Sequence, residues 1–176
     1  MNLDIIEVAL DKKHWTTASQ RVLEIPIYKG SHRGIKANQV GSLGEVVFEE
    51  FLKMNQIKFT DQRNLTTHDY LINDNLTVEI KTKDRTVKPK LYFDNSVPIY
   101  NHPHQRPNYF YFISLLRNKL DKTKNISRFT HAFILGATDI FTLEKIGKIW
   151  RTGEIDNSNG TEFWTDCINI KMNQLT

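Results

Sequence analysis

The sequence contains one cysteine, Cys167, and no apolar run near the roughly 20 residues that a membrane helix needs. A lone cysteine excludes an intrachain disulfide and any zinc site built from several cysteines. The first residues, MNLDIIEVALDKKHW, lack the basic start and the apolar stretch of a secretory signal. We therefore expect no membrane association and a cytoplasmic protein.

Other well-known signatures are also missing. The chain has no P-loop, no dinucleotide-binding fingerprint and no ordered set of catalytic serine, histidine and aspartate. Its 176 residues are 39% hydrophobic and 25% charged, which fits one globular domain with a proper core. The net charge of +4 favours polyanionic partners only mildly.

Positive charge is concentrated in two segments, KGSHRGIK at residues 29–36 and KTKDRTVKPK at residues 81–90. One interpretation is two solvated loops. The other is a surface that binds nucleic acid, because lysine and arginine neutralise phosphates. On the second interpretation the binding residues are Lys29, His32, Arg33, Lys36, Lys83, Arg85, Lys88 and Lys90.

The order of predicted elements indicates an α/β fold with a mixed sheet flanked by helices. Residues 1–38 are expected to form a helical segment and a basic loop within the same domain, and residues 39–176 its core. Hydrophobic periodicity predicts helices at residues 3–10, 16–24, 39–54 and 142–150. Strands are predicted at residues 57–61, 69–72, 76–83, 109–116, 130–137 and 166–172.

A hairpin in the segment HDYLINDNLTVEIKTK carries the most informative chemistry. If residues 73–75 (NDN) form the loop, Asp69 lies directly opposite Glu79 on the neighbouring strand. Strand alternation places Lys81 on the same face as Glu79, with Ile80 pointing the other way. Two opposed carboxylates repel each other, so a cation should lie between them.

A site with a few oxygen ligands is typical of Mg²⁺, which keeps several waters and accepts phosphate oxygens, and Mn²⁺ often substitutes for it. A lysine beside the metal would stabilise charge on a phosphate during hydrolysis. The hairpin therefore predicts a phosphodiester hydrolase. The alternative is an ordinary solvated hairpin with one Glu–Lys face.

Two further segments contribute candidate residues. In the predicted helix QVGSLGEVVFEEFLKM, Glu45 lies at the border of the apolar arc, while Glu49 and Glu50 are expected to face solvent. The loop NHPHQRPNYF contains His104 and Gln105, either of which is a candidate for touching the substrate or a water molecule. The other interpretation is a surface loop stiffened by prolines.

The pattern resembles the PD-(D/E)XK nuclease superfamily, which has the restriction-endonuclease-like fold. The matching residues are Glu45 in GSLGEVVFEEFL, Asp69 in HDYLI, and Glu79 and Lys81 in VEIKTK. The segments FILGATDIFTLEKIGKIWRTGEID and INIKMNQL also resemble uncharacterised phage and bacterial members. The resemblance covers about residues 39–175, and it departs from the motif at His68, where the motif's name has proline, a position that varies in the superfamily.

The resemblance implies that Asp69 and Glu79 bind the metal, with the Ile80 carbonyl as a further ligand. It also implies that Glu45 reaches the metal directly or through water and that Lys81 acts on the nucleophile or the transition state. We therefore predict a Mg²⁺-dependent nuclease acting on DNA, in the host cytoplasm if a phage encodes it. The small size makes a homodimer attractive for cutting both strands.

Two alternatives stay open. A catalytically inactive protein could keep the fold and bind nucleic acid without cutting it, and an RNA-directed hydrolase could use the same site. The intact set of Glu45, Asp69, Glu79 and Lys81 argues against the first. Fold analogy does not distinguish DNA from RNA.

Overall fold

The computed structural model describes residues 5–24, 35–99 and 103–176. The helices are α1 (Lys12–Glu24), α2 (Ile35–Met54) and α3 (Ile140–Ile146). The strands are β1 (Ile6–Ala9), β2 (Phe59–Asp61), β3 (Tyr70–Ile72), β4 (Leu76–Arg85), β5 (Asp94–Pro98), β6 (Tyr109–Arg117), β7 (Phe129–Asp139), β8 (Lys148–Trp150), β9 (Ile155–Asp156), β10 (Thr161–Glu162) and β11 (Cys167–Lys171).

A mixed six-stranded sheet forms the centre of the fold, with the order β1-β7-β6-β4-β3-β2. Its neighbouring strands are antiparallel except β4 and β6, which run parallel. A second sheet has the order β5-β11-β8, and β9 pairs with β10 in a separate hairpin. The predicted α/β fold with a mixed sheet flanked by helices is therefore confirmed.

The six-stranded sheet is covered on both faces, because alternate residues of its central strands enter two different hydrophobic cores. One core joins α2 to the sheet and contains Leu43, Phe48 and Ile80. The other lies beneath α3 and β11 and contains Phe112 and Leu143. A strand with apolar side chains on both faces reads as a continuous apolar run, as YFYFISLL of β6 does.

The N-terminal region differs from the prediction at two points. The segment expected to be a helix at residues 3–10 contains β1, which pairs with the free edge of β7 and places Ile6 opposite Ile134. Periodicity over so few residues does not separate a helix turn from a strand, and the edge of β7 decides the outcome. In addition, α2 begins at Ile35, so the boundary predicted between residues 38 and 39 falls inside a helix.

The helix predicted at residues 142–150 is divided in two. Asp139 caps α3 by accepting a hydrogen bond from the Thr142 backbone N–H at 2.9 Å, and the helix ends at Ile146. Gly147 then lies so close to Ile168 that an added Cβ would be 2.3 Å from that side chain. The chain continues as β8, which pairs with β11. None of the described helices is long and apolar enough to cross a membrane.

Candidate active site

The β3–β4 hairpin has the register that the sequence predicts. Ile72 faces Leu76 and Tyr70 faces Val78, so residues 73–75 form the loop. Asn73 and Asp74 have positive φ angles of 47° and 62°, a conformation that both residue types tolerate in turns. The strand pairing ends at Tyr70 and Val78, and Asp69 directly precedes Tyr70 while Glu79 directly follows Val78.

Asp69 is held against β4 by two hydrogen bonds. Its backbone N–H donates to the Val78 carbonyl at 3.0 Å, and its Oδ2 accepts from the Ile80 backbone N–H at 2.7 Å. Burial raises the pKa of Asp69 well above its usual range, and the charges of Glu79 and then Glu45 raise the pKa further. Asp69 thus belongs to a group of three carboxylates that repel one another.

Glu79, Lys81 and Gln105 form a closed triangle of hydrogen bonds. The Lys81 ammonium donates to Glu79 Oε1 at 2.7 Å and to Gln105 Oε1 at 3.0 Å. The Gln105 amide donates to the same Glu79 oxygen at 2.8 Å. The structure therefore brings Gln105 to the hairpin, whereas the neighbouring His104 is exposed.

One oxygen of Glu79 lacks a partner. Glu79 is 6% exposed, and its Oε2 is buried without a hydrogen bond to any residue that the structure describes. Leaving a charged oxygen buried and unsatisfied costs free energy, because it loses water and gains nothing in return. This oxygen belongs to the same group of three carboxylates as Asp69 and Glu45. The group therefore favours a positively charged ligand.

Glu45 reaches the same region from α2. Its Oε2 accepts a hydrogen bond from Arg63 Nη1 at 3.0 Å, and both side chains are 15% exposed. Burial raises the pKa of Glu45, and Arg63 acts against that rise. The close approach of α2 to β4 depends on Gly44, where an added Cβ would lie 2.0 Å from Thr82 Oγ1.

Arg63 is a functional candidate that the sequence analysis missed. It binds Asp61 through two parallel hydrogen bonds, Nε to Oδ1 at 2.9 Å and Nη2 to Oδ2 at 2.6 Å, while its Nη1 binds Glu45. The pair Asp61 and Arg63 is local and could be found from spacing. The link to Glu45 spans 18 residues and has no sequence pattern.

Glu49 was expected to face solvent, and that prediction is wrong. The residue is 6% exposed, accepts a hydrogen bond from the Tyr70 hydroxyl at 2.9 Å and accepts another from Arg21 Nη2 at 2.7 Å. Helix α1 packs on α2 and brings Arg21 to this face of α2. A helical wheel of α2 alone contains no information about that partner. Glu50 is half-buried and accepts from His14 Nε2 at 2.7 Å.

The predicted basic residues are placed unevenly. Lys29, His32 and Arg33 lie outside the described residues, and Lys36 is in α2 with its side chain outside the described part. Arg85 is drawn inward, donating to Ser114 Oγ at 2.8 Å and to the Asp94 carbonyl at 2.7 Å. Burial lowers the pKa of Arg85 to about 10.

The other basic residues at the end of β4 and directly after it also have neighbours. Lys83 donates to the Asp94 carbonyl at 3.3 Å, and Lys88 binds both carboxylate oxygens of Glu7 at 2.8 and 2.9 Å. Lys90 is exposed, with its ammonium 5.8 Å from the centre of the Tyr92 ring. Much of the positive charge of this segment is therefore used in contacts within the protein.

The donor atoms of the site suit a hard divalent cation. Asp69, Glu79 and Glu45 offer carboxylate oxygens, which are the ligands that Mg²⁺ takes. The unpartnered oxygen of Glu79 and the raised pKa of Asp69 both indicate a shortage of positive charge. No three His, Cys, Asp or Glu side chains among the described residues form a ready metal-holding group. Mg²⁺ needs only one or two carboxylates besides waters and phosphate oxygens.

Comparison of the chain with protein-family models finds no match, and comparison with curated proteins finds none either.

Proposed function

We propose that the protein is a Mg²⁺-dependent nuclease that hydrolyses phosphodiester bonds in DNA, as an endonuclease, and that it belongs to the PD-(D/E)XK superfamily. The observation that carries the proposal is the cluster of Glu79, Lys81 and Gln105 beside Asp69, with one Glu79 oxygen buried and unpartnered. A core position would not combine these groups unless a ligand compensated them.

Asp69 and Glu79 would hold the metal, with the Ile80 carbonyl as a further ligand and Glu45 within reach directly or through water. A bound Mg²⁺ supplies polarisation of a phosphoryl oxygen and a lower pKa of a bound water. Asp69 is oriented for this role by the Ile80 N–H, and Glu45 is oriented by Arg63. The carboxylates of Asp69 and Glu45 are therefore already held in position before a metal binds.

Lys81 would act on the phosphate itself. Its ammonium has three N–H donors, of which Glu79 and Gln105 take two, so one is available to a phosphate oxygen. A fixed cation placed where negative charge develops stabilises the transition state more than the ground state. Gln105 holds Lys81 and Glu79 together and is a positioning residue on this proposal.

The proposal is tested by incubating supercoiled plasmid, branched DNA, single-stranded DNA and RNA with the full chain and Mg²⁺ or Mn²⁺. We expect cleavage of DNA by the wild type and a loss of about 10²–10³-fold in Lys81→Ala, which is typical for removing one transition-state stabiliser. Lys58→Ala is the matched control, because Lys58 is an exposed lysine that pairs with Asp74 at the hairpin turn.

Metal binding provides a second readout that does not depend on activity. Calorimetric titration with Mn²⁺ should show binding to the wild type and to Lys58→Ala, and weaker binding to Asp69→Asn and Glu79→Gln. DNA binding without cleavage of any substrate would favour the inactive nucleic-acid-binding protein. Cleavage of RNA alone would favour the RNA-directed hydrolase. Equal cleavage by wild type and Lys81→Ala would reject the proposed site.

A further inference from the structure

The loop between β6 and the following 3₁₀ turn, residues 118–125, has the sequence NKLDKTKN and carries unused positive charge. Lys119, Lys122 and Lys124 are all exposed. Among the described residues none of the three makes a hydrogen bond, an ion pair or a ring contact. This differs from the basic segment at residues 81–90, where Arg85 and Lys88 have protein partners.

The loop has a defined shape. The Asp121 N–H donates to the Asn118 carbonyl at 3.1 Å, and the Leu120 N–H donates to Asn118 Oδ1 at 2.9 Å, which closes a turn with Lys119 at its tip. Asp121 is the single acid of the loop, and its Oδ1 accepts from the Thr123 N–H at 2.8 Å. Its carboxylate therefore serves the loop backbone and leaves the lysine ammoniums without a partner.

Two arginines fasten the loop to β4. Arg117 Nε donates to Asp84 Oδ1 at 2.9 Å, and Arg128 Nη2 lies 3.4 Å from Asp84 Oδ2. Arg128 Nη1 also donates to the Thr123 carbonyl at 2.9 Å, so the loop backbone is connected to the strand through a single carboxylate. These contacts limit the entropy that the loop would lose on binding a partner.

The strand that holds the loop is also the strand that carries Glu79 and Lys81. Asp84 follows Glu79 by five residues on β4, and strand alternation places its side chain on the other face from Glu79 and Lys81. Strand β6 runs parallel to β4, with Phe110 beside Glu79 and Leu116 beside Arg85, so the loop after Arg117 lies at the far end of this strand pair from Glu79. A polyanion long enough to run from one end of the strand pair to the other would touch both places.

We infer that residues 118–125 bind the phosphate backbone of the nucleic acid at a place separate from the cleaved bond. This inference rests on the proposed nuclease function. Lys119, Lys122 and Lys124 neutralise phosphates, and the Asp84 anchor keeps them at a fixed distance from the reacting bond. Leu120 at the turn is 82% exposed, and a bound backbone would cover this apolar side chain as well.

The test is the salt dependence of DNA binding by the full chain, measured by fluorescence anisotropy on a labelled duplex with Ca²⁺ in place of Mg²⁺. Each phosphate contact contributes about 0.9 to the slope of log K against log salt, so losing three contacts lowers the slope by about 2.7. We expect this change in the triple variant Lys119→Gln, Lys122→Gln, Lys124→Gln. The triple Arg variant at the same positions should keep the wild-type slope.

A second control tests whether a change in the slope comes from the loop itself or from the lower net charge of the protein. Lys53→Gln with Lys58→Gln removes two positive charges near β2, at one edge of the six-stranded sheet, and should leave the slope unchanged. The triple Gln and triple Arg variants should unfold at the same temperature as the wild type, because the substituted side chains are exposed. An unchanged slope in the triple Gln variant, with normal binding and cleavage by the wild type, overturns the loop inference alone. A wild type that binds neither DNA nor RNA overturns the proposed function as well.

Discussion

Replacing Gly44 by alanine tests how α2 is positioned over the sheet. An alanine Cβ would lie 2.0 Å from Thr82 Oγ1, 2.9 Å from its Cγ2 and 3.0 Å from its Cβ. Ordinary contacts between such atoms are about 3.5–4 Å, so the helix or the strand must move by more than a few tenths of an ångström. Rotating Thr82 offers little relief, because its side chain is branched at the atom that is already close.

The expected magnitude follows from two opposing effects. Overpacking a core contact costs about 1–3 kcal/mol, whereas exchanging glycine for alanine inside a helix by itself gains about 1 kcal/mol. We therefore expect Gly44→Ala to lower the free energy of unfolding by about 1 kcal/mol. Gly41→Ala is the matched control, because the nearest atom to its added Cβ is Glu45 Oε1 at 3.9 Å. That variant should gain the helix benefit without the clash.

Urea unfolding followed by circular dichroism measures both variants. Thr82→Ala should partly rescue Gly44→Ala, because it removes the two atoms nearest to the added Cβ. It breaks no hydrogen bond within the described part of the chain, where Thr82 Oγ1 has no partner. Cleavage should fall more in Gly44→Ala than in Gly41→Ala, because Glu45 directly follows Gly44 and moves with the helix. Equal stabilisation by both alanines would refute the close-packing argument.

Two further predictions concern the carboxylates. In the absence of metal, Asp69→Asn should melt at a higher temperature than the wild type at neutral pH, and this difference should shrink as the pH falls from the raised pKa of Asp69 towards 3.8, the ordinary pKa, and be closed below it. The sign follows because the folded-state pKa of Asp69 is raised, so ionisation of this side chain at higher pH disfavours the folded state. A difference in melting temperature that stays constant from acid to neutral pH would contradict this reasoning. Arg63→Met should lower the free energy of unfolding by about 1–3 kcal/mol, because Glu45 keeps its burial and loses its charged donor. Adding Glu45→Gln should recover part of the loss in urea unfolding, and no recovery would mean that Arg63 acts mainly through Asp61.

The hairpin was predictable because its information is local. Residues 73–75 specify the turn, the turn sets the register, and the register determines which side chain of β3 meets which of β4. The pairing of Tyr70 with Val78 follows from this, and Asp69 follows by one further step. Gln105 was one of two candidates in its loop, and only the path of the chain before β6 decides that Gln105, rather than His104, reaches Lys81.

Other parts of the site could not be predicted, for physical reasons that differ from residue to residue. Glu49 resembles a solvent-facing acid on an isolated helix and is buried because Arg21 of α1 provides a charged partner. Arg63 resembles a loop residue and becomes the partner of Glu45 once α2 lies over the sheet. In both cases the deciding contact joins segments that no local pattern connects.

The sequence by itself determined the hairpin register, the helix that carries Glu45 and the α/β class, because turn chemistry and periodicity act over a few residues. Tertiary structure alone decided that β1 is a strand, that Gly44 lets α2 approach Thr82, and that Lys119, Lys122 and Lys124 have no partner among the described residues. The reason is that burial and charge pairing depend on which distant segment arrives next to a residue, and that arrival is a property of the whole fold.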